Sequence, residues 1–107
     1  THDCFTIAEL MEYEAMGLAA AGQGHRVIDE GVSTRTGRLP VNPSGGLKSK
    51  GHPIGATGLG QVYELVSQLR GECGTRQVEG AKVAIAENGG GLIGIEEAVA
   101  SVLILAR

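Results

Sequence analysis

Three side chains in this sequence have the types and the setting for acid–base chemistry: His52, Cys4 and His2. His52 follows the glycine-rich run Gly45-Gly46-Leu47-Lys48-Ser49-Lys50-Gly51 and precedes Pro53-Ile54-Gly55-Ala56-Thr57-Gly58. A thiol beside an imidazole in a glycine-lined pocket can move protons near neutral pH, and Cys4 with His52 supplies such a pair. Gly51, Gly55 and Gly58 remove side chains where a substrate or another backbone has to come close. Plainer readings stand beside these: a turn carrying an incidental histidine, and a small buried thiol, the commoner fate of a free cysteine. Cys73, in a polar connection, has only the structural reading. His2, Asp3, Cys4, His25 and His52 are of metal-ligand types, but the two-by-two spacing of a zinc site is missing, so no metal is expected.

These residues need elements to hold them. Pro53 suits the first position of a helix, where its missing N–H costs nothing. Ile54, Leu59, Val62, Leu65, Val66 and Leu69 then recur at helical spacing and give one apolar stripe. His52 thus falls just before the positive end of a helix dipole, a place that favours neutral imidazole. Upstream, Thr6 and Glu9 form a capping box for a helix whose buried stripe is Ile7, Leu10, Met11, Ala15 and Leu18. Gly17, Gly22 and Gly24 end that helix and begin a turn. A short helical turn is expected within 25–31, then an exposed loop from Gly31 to Arg38. Leu39 to Asn42 is extended, because Pro40 and Pro43 push their predecessors away from helix. Downstream, 71–77 is a polar connection, and Ala81–Ala86 reads as a buried strand interrupted by Gly89-Gly90-Gly91. Ala98–Leu105 reads as a second buried strand. Alternating helices and strands point to an α/β layered domain.

Composition narrows the function classes. The 107 residues allow one domain. Hydrophobic content of 42% supports a core, but Phe5, Tyr13 and Tyr63 are the only aromatic residues, so that core is aliphatic. Few aromatics and a net charge of −3 argue against nucleic acid as a partner. No apolar run reaches the length of a membrane span. Two cysteines are too few for a disulfide framework, so a cytoplasmic location is expected. The 18 glycines cluster at 45–60 and 89–94, as two loops near a ligand would require. Gly89-x-Gly91-x-x-Gly94 matches the dinucleotide fingerprint by letter, but a strand follows it where a helix is needed. Gly46-x-x-x-x-Gly51 resembles the start of a phosphate loop, yet His52-Pro53 replaces the required Lys-Ser/Thr.

The run Asn42 to Gly58 resembles the GHPxGAxG active-site loop of thiolases. His2-Asp3-Cys4-Phe5 is similar to the HDCF loop of the sterol-carrier-protein type, where other thiolases carry NEAF. Gln68-Leu69-Arg70-Gly71-Glu72 and Glu87-Asn88-Gly89-Gly90-Gly91 also resemble the family, so the likeness covers essentially the whole chain. It implies the C-terminal part of a thiolase fold, a layered αβαβα assembly with a mixed sheet and packed helices. On that basis, residues 1–107 form a thiolase C-terminal domain, incomplete at its N-terminal end.

The resemblance also implies an activity: acyl transfer on 3-oxoacyl-CoA or acetyl-CoA, cleaving or forming a carbon–carbon bond beside a thioester. By analogy, His52 activates a nucleophilic cysteine and hydrogen-bonds the thioester oxygen. His2 takes the place of the asparagine that holds a water in the same oxyanion hole. Cys4 is the acid/base that moves the α-proton, and the Gly89 amide contributes to the other oxyanion hole. Gly51, Pro53 and Gly55 fall where substrate binds. Glu87 stands where many thiolases carry the cysteine of a CxG motif; it is a candidate catalytic residue, a water-orienting carboxylate, or simply the end of a strand. Coenzyme A enters as substrate, with no permanently bound cofactor. The nucleophile belongs to an N-terminal half, so this chain alone is expected to be inactive and to work in a homo-oligomer, a dimer or a tetramer. Two other functions fit the same fold: a thiolase-like aldolase acting on sterol side-chain CoA esters, and a non-catalytic CoA-binding or assembly subunit.

Overall fold

The computed structural model describes residues 1–94 and 97–107. Helix α1 spans Thr6–Ala15, α2 His25–Asp29, α3 Gly46–Lys50 and α4 Thr57–Arg70. Strands β1, Val83–Gly90, and β2, Val99–Ala106, pair antiparallel, with Val83 opposite Ala106 and Gly90 opposite Val99. Helix α4 packs on this hairpin, mainly against β1. The result is the small α/β unit of helices layered on a sheet that the alternation of elements predicts.

Several local expectations are corrected. Thr6 is not a cap: it lies inside α1, whose N-cap is Phe5 in extended backbone with no side-chain cap bond. Glu9, the other half of the supposed capping box, accepts from the Tyr13 hydroxyl and pairs with Lys48 of α3. The buried face of α1 also differs from the apolar stripe, because Tyr13 is enclosed while Ile7 and Met11 are exposed.

Helix α4 begins at Thr57 and not at Pro53, whose carbonyl instead accepts from the N–H groups of Ala56 and Thr57. A turn therefore separates His52 from the helix, and the dipole argument for its imidazole loses its footing. The face of α4 that this chain buries is polar: Thr57, Gln61, Glu64 and Gln68, with Leu69. Local carbonyls take up part of their polarity, Gln61 Nε2 donating to the Glu87 carbonyl at 2.7 Å and Gln68 Nε2 to the Arg76 carbonyl at 2.9 Å, while Gln61 Oε1 is buried without a partner among the described residues. Arg76 Nη2 reaches Glu64 Oε2 at 3.1 Å. Ile54, Leu59 and Tyr63 face outward, exposed.

The triple glycine does not interrupt its strand. β1 continues through Gly89 and Gly90, paired with Ala100 and Val99, and the backbone turns only at Gly91, with φ 71°. Glu87 therefore lies within β1 and does not end it. The strands begin and end one to four residues later than periodicity places them, and the loop before His52 contains α3, which was not foreseen.

Candidate active site

The segment Thr1–Phe5 has no regular structure, yet His2 and Asp3 are among its most buried residues. Hydrogen bonds to distant elements explain this. The His2 backbone N–H donates to Glu87 Oε2 at 3.2 Å, which fastens the segment to β1. The Leu47 N–H donates to Asp3 Oδ1 at 2.8 Å, a buried bond that fastens it to α3. The Cys4 N–H closes a tight turn onto the His2 carbonyl at 2.9 Å. Gly46 makes the close approach feasible: its φ is 66°, and a Cβ there would overlap the Asp3 carboxylate.

The second loop orients His52. Its Nδ1 lies 2.7 Å from Thr57 Oγ1, and that hydroxyl donates to the Pro53 carbonyl at 3.2 Å. When that hydroxyl gives its proton to the Pro53 carbonyl, its oxygen accepts from Nδ1–H, and Nε2 keeps its lone pair. A histidine fixed in this tautomer is equipped to take a proton from a thiol. The His2 and His52 rings meet edge to face, with centroids 4.9 Å apart and planes at 70°.

Glu97 completes the cluster. Its Oε1 is 3.3 Å from His2 Nδ1, and its carboxylate rests against Gly89, where any Cβ would overlap it. Donor atoms of His2, Cys4 and Glu97 all lie within 4.8 Å of one another. Burial pushes the Cys4 thiol above its ordinary value, and the Glu97 charge adds to the effect. A thiol so placed holds its proton at neutral pH.

His2, Cys4, His52 and Gly89, separated by up to 87 positions, thus gather around one place, with Glu87 behind His2. The sequence reading missed Asp3, Thr57 and Glu97. Asp3 was visible inside His2-Asp3-Cys4-Phe5 but has no role until Leu47 is seen beside it. Glu97 carries no local signal, since only the hairpin brings it back to Gly89. Gly51, Pro53 and Gly55, expected where substrate binds, are exposed beside His52 in sequence. Gly51 has φ 93°, which demands glycine, whereas a Cβ at Gly55 would meet nothing within 4 Å in this chain. Cys73 is buried elsewhere, its Sγ 3.9 Å from Glu64 Oε1. Asp3 is committed to Leu47 and His25 sits exposed on α2, so neither belongs with the other candidate ligands.

The chain is 60% identical over 87 residues to human sterol carrier protein 2, covering 81% of this chain and 16% of that protein. It is 54% identical over 98 residues to a non-specific lipid-transfer protein-like 2 of Caenorhabditis elegans, covering 88% and 24%. It is 51% identical over 90 residues to an acetyl-CoA acetyltransferase of Methanothermobacter thermautotrophicus, covering 84% and 24%. The chain spans no more than about a quarter of the length of these relatives. A family model described as thiolase C-terminal domain-like matches residues 1–107. With its two histidine loops, its thiol and its hairpin so arranged, the chain belongs to the thiolase C-terminal domain-like family.

Proposed function

We propose that this chain carries the acid/base side of a thiolase-type acyltransferase site acting on 3-oxoacyl-CoA or acetyl-CoA. A nucleophilic cysteine comes from an N-terminal half, and coenzyme A is a substrate, with no resident cofactor. The observation that carries the reading is the gathering of His2, Cys4 and His52 beside Gly89 from opposite ends of the chain. In the cleavage direction His52 takes the proton of the nucleophilic thiol, which adds to the 3-oxo carbonyl. The carbon–carbon bond breaks, and the carbanion of the departing thioester takes its proton from Cys4. An incoming coenzyme A thiol returns a proton to Cys4 and attacks the acyl-enzyme, and the released cysteine recovers its proton from His52. The raised thiol of Cys4 suits it to the donor step.

This reading includes a cytoplasmic homo-oligomer and no membrane-embedded part. No helix among the described residues is long and apolar enough to cross a membrane. The names of two relatives, a sterol carrier and a lipid-transfer protein, favour a second reading in which the chain serves lipid carriage. Thiolysis assays with the N-terminal half present separate the two. Cys4→Ala should lower turnover by about 100-fold or more, the usual worth of a positioned acid/base. Cys73→Ala should leave turnover unchanged. Equal thiolysis by wild type and Cys4→Ala places the acid/base at another residue, and no thiolysis by either favours the carrier reading.

A further inference from the structure

Outside its proton chemistry, the cluster at the start of the chain is also a set of metal donors. We infer that His2, Cys4 and Glu97 form an inhibitory site for a thiophilic divalent cation of the zinc type. One imidazole, one sulfur and one carboxylate are the donors that zinc prefers, whereas magnesium and calcium favour all-oxygen sets. Tetrahedral coordination at ordinary zinc bond lengths holds such donors about 3.5 Å apart. His2 Nδ1 and Glu97 Oε1 already stand at 3.3 Å, and the whole trio lies within 4.8 Å. Glu97 is the most exposed donor, at 45%, so its side chain can close the remaining gap and its face admits the ion.

His2 is held from behind by the bond from its backbone N–H to Glu87, which leaves its ring free to present Nδ1. A water takes the fourth position. Binding forms a metal–sulfur bond and expels the Cys4 thiol proton to solvent. Cys4 then has no proton to give, so occupancy and acyl transfer exclude each other. The binding stands on geometry alone; its effect on turnover rests on the acid/base role proposed for Cys4.

Cobalt(II) is the probe, titrated into the chain with its N-terminal half present, under reducing conditions, and followed by absorption. A thiolate-to-cobalt charge-transfer band should appear with four-coordinate visible bands, and added zinc should bleach both. Cys4→Ser should abolish the charge-transfer band and Cys73→Ser should keep it. Glu97→Gln, a change at a half-exposed side chain that spares the fold, should weaken apparent affinity about tenfold or more. Zinc should inhibit thiolysis over the range in which it bleaches cobalt. A folded wild type with no charge-transfer band overturns the site, as does a band that survives Cys4→Ser. The optical signal needs no turnover, so a chain that binds cobalt through Cys4 but catalyses nothing refutes the acyltransfer reading alone. An active enzyme without the band refutes the metal site alone.

Discussion

Asp3 is the residue on which the meeting of the two loops depends. Its carboxylate is buried against α3, and the 2.8 Å bond from Leu47 N–H spans 44 positions of sequence. Removing the acceptor leaves a buried donor without a partner, which costs about 1–3 kcal/mol. With the N-terminal half present, Asp3→Ala should therefore lower unfolding free energy by that amount and speed hydrogen exchange at the Leu47 amide. Asp3→Asn keeps an acceptor oxygen and should lose less. Equal stability and equal Leu47 exchange in wild type and Asp3→Ala would show that the bond positions nothing. Gly46→Ala should be at least as damaging, since it combines a positive φ with overlap on the same carboxylate.

At the scale of elements, α1 meets β1 through carboxylates. Glu12 is pushed up to about 7 from an ordinary 4.5, first by burial and then, among the groups that raise it, by the nearby charge of Glu87. Its Oε2 is buried without a hydrogen-bond partner among the described residues. A raised folded value means that the native state holds the extra proton between about pH 4.5 and 7. The stability this proton confers is complete below that window and is lost as pH rises through 7. Glu9 does not blur the test. Burial opposes its ionisation, yet bonds from Lys48 and Tyr13 hold it below its ordinary value, outside this window. With the N-terminal half present, denaturant titrations at about pH 5 and pH 8 should show a fall of at least about 1 kcal/mol that Glu12→Gln reduces. An identical pH slope in the variant would contradict this.

The same elements show what periodicity can and cannot deliver. The hairpin and α4 were legible because β-branched runs and an i, i+3, i+4 pattern report local conformation directly. The buried face of α4 was not. Gln61 and Gln68 are drawn inward by carbonyls of β1 and the 74–76 turn, which no helical wheel displays. The supposed cap at Thr6 failed for a related reason, since Lys48 competes for Glu9 from α3, some forty positions away. His52, Cys4 and His2 were legible through their motif. Glu97 and Thr57 were not, because their roles arise only from contact.

For the whole molecule, the apolar surface is the dominant fact. Val83, Ile85, Val102 and Ile104 are all exposed, and register places Ile85 opposite Ile104 on one side of the hairpin. Ile54, Leu59 and Tyr63 add a second exposed apolar group along α4. Among the described residues the sheet has two strands, so each leaves an unpaired edge that invites association. The chain on its own should therefore associate or aggregate during size-exclusion chromatography. A monodisperse monomer with a cooperative unfolding transition would contradict this and favour a stand-alone binding module. Under the proposed function, the molecule covered by an N-terminal half has one chemical task, moving the α-proton of a thioester through Cys4. Exchange of the methyl protons of acetyl-CoA for deuterium in heavy water, read by mass spectrometry, measures that step without requiring turnover. With the N-terminal half present, wild type should exchange them, while Cys4→Ala should still form the acyl-enzyme and exchange none. Undiminished exchange by Cys4→Ala would place the acid/base elsewhere and remove the basis for the site.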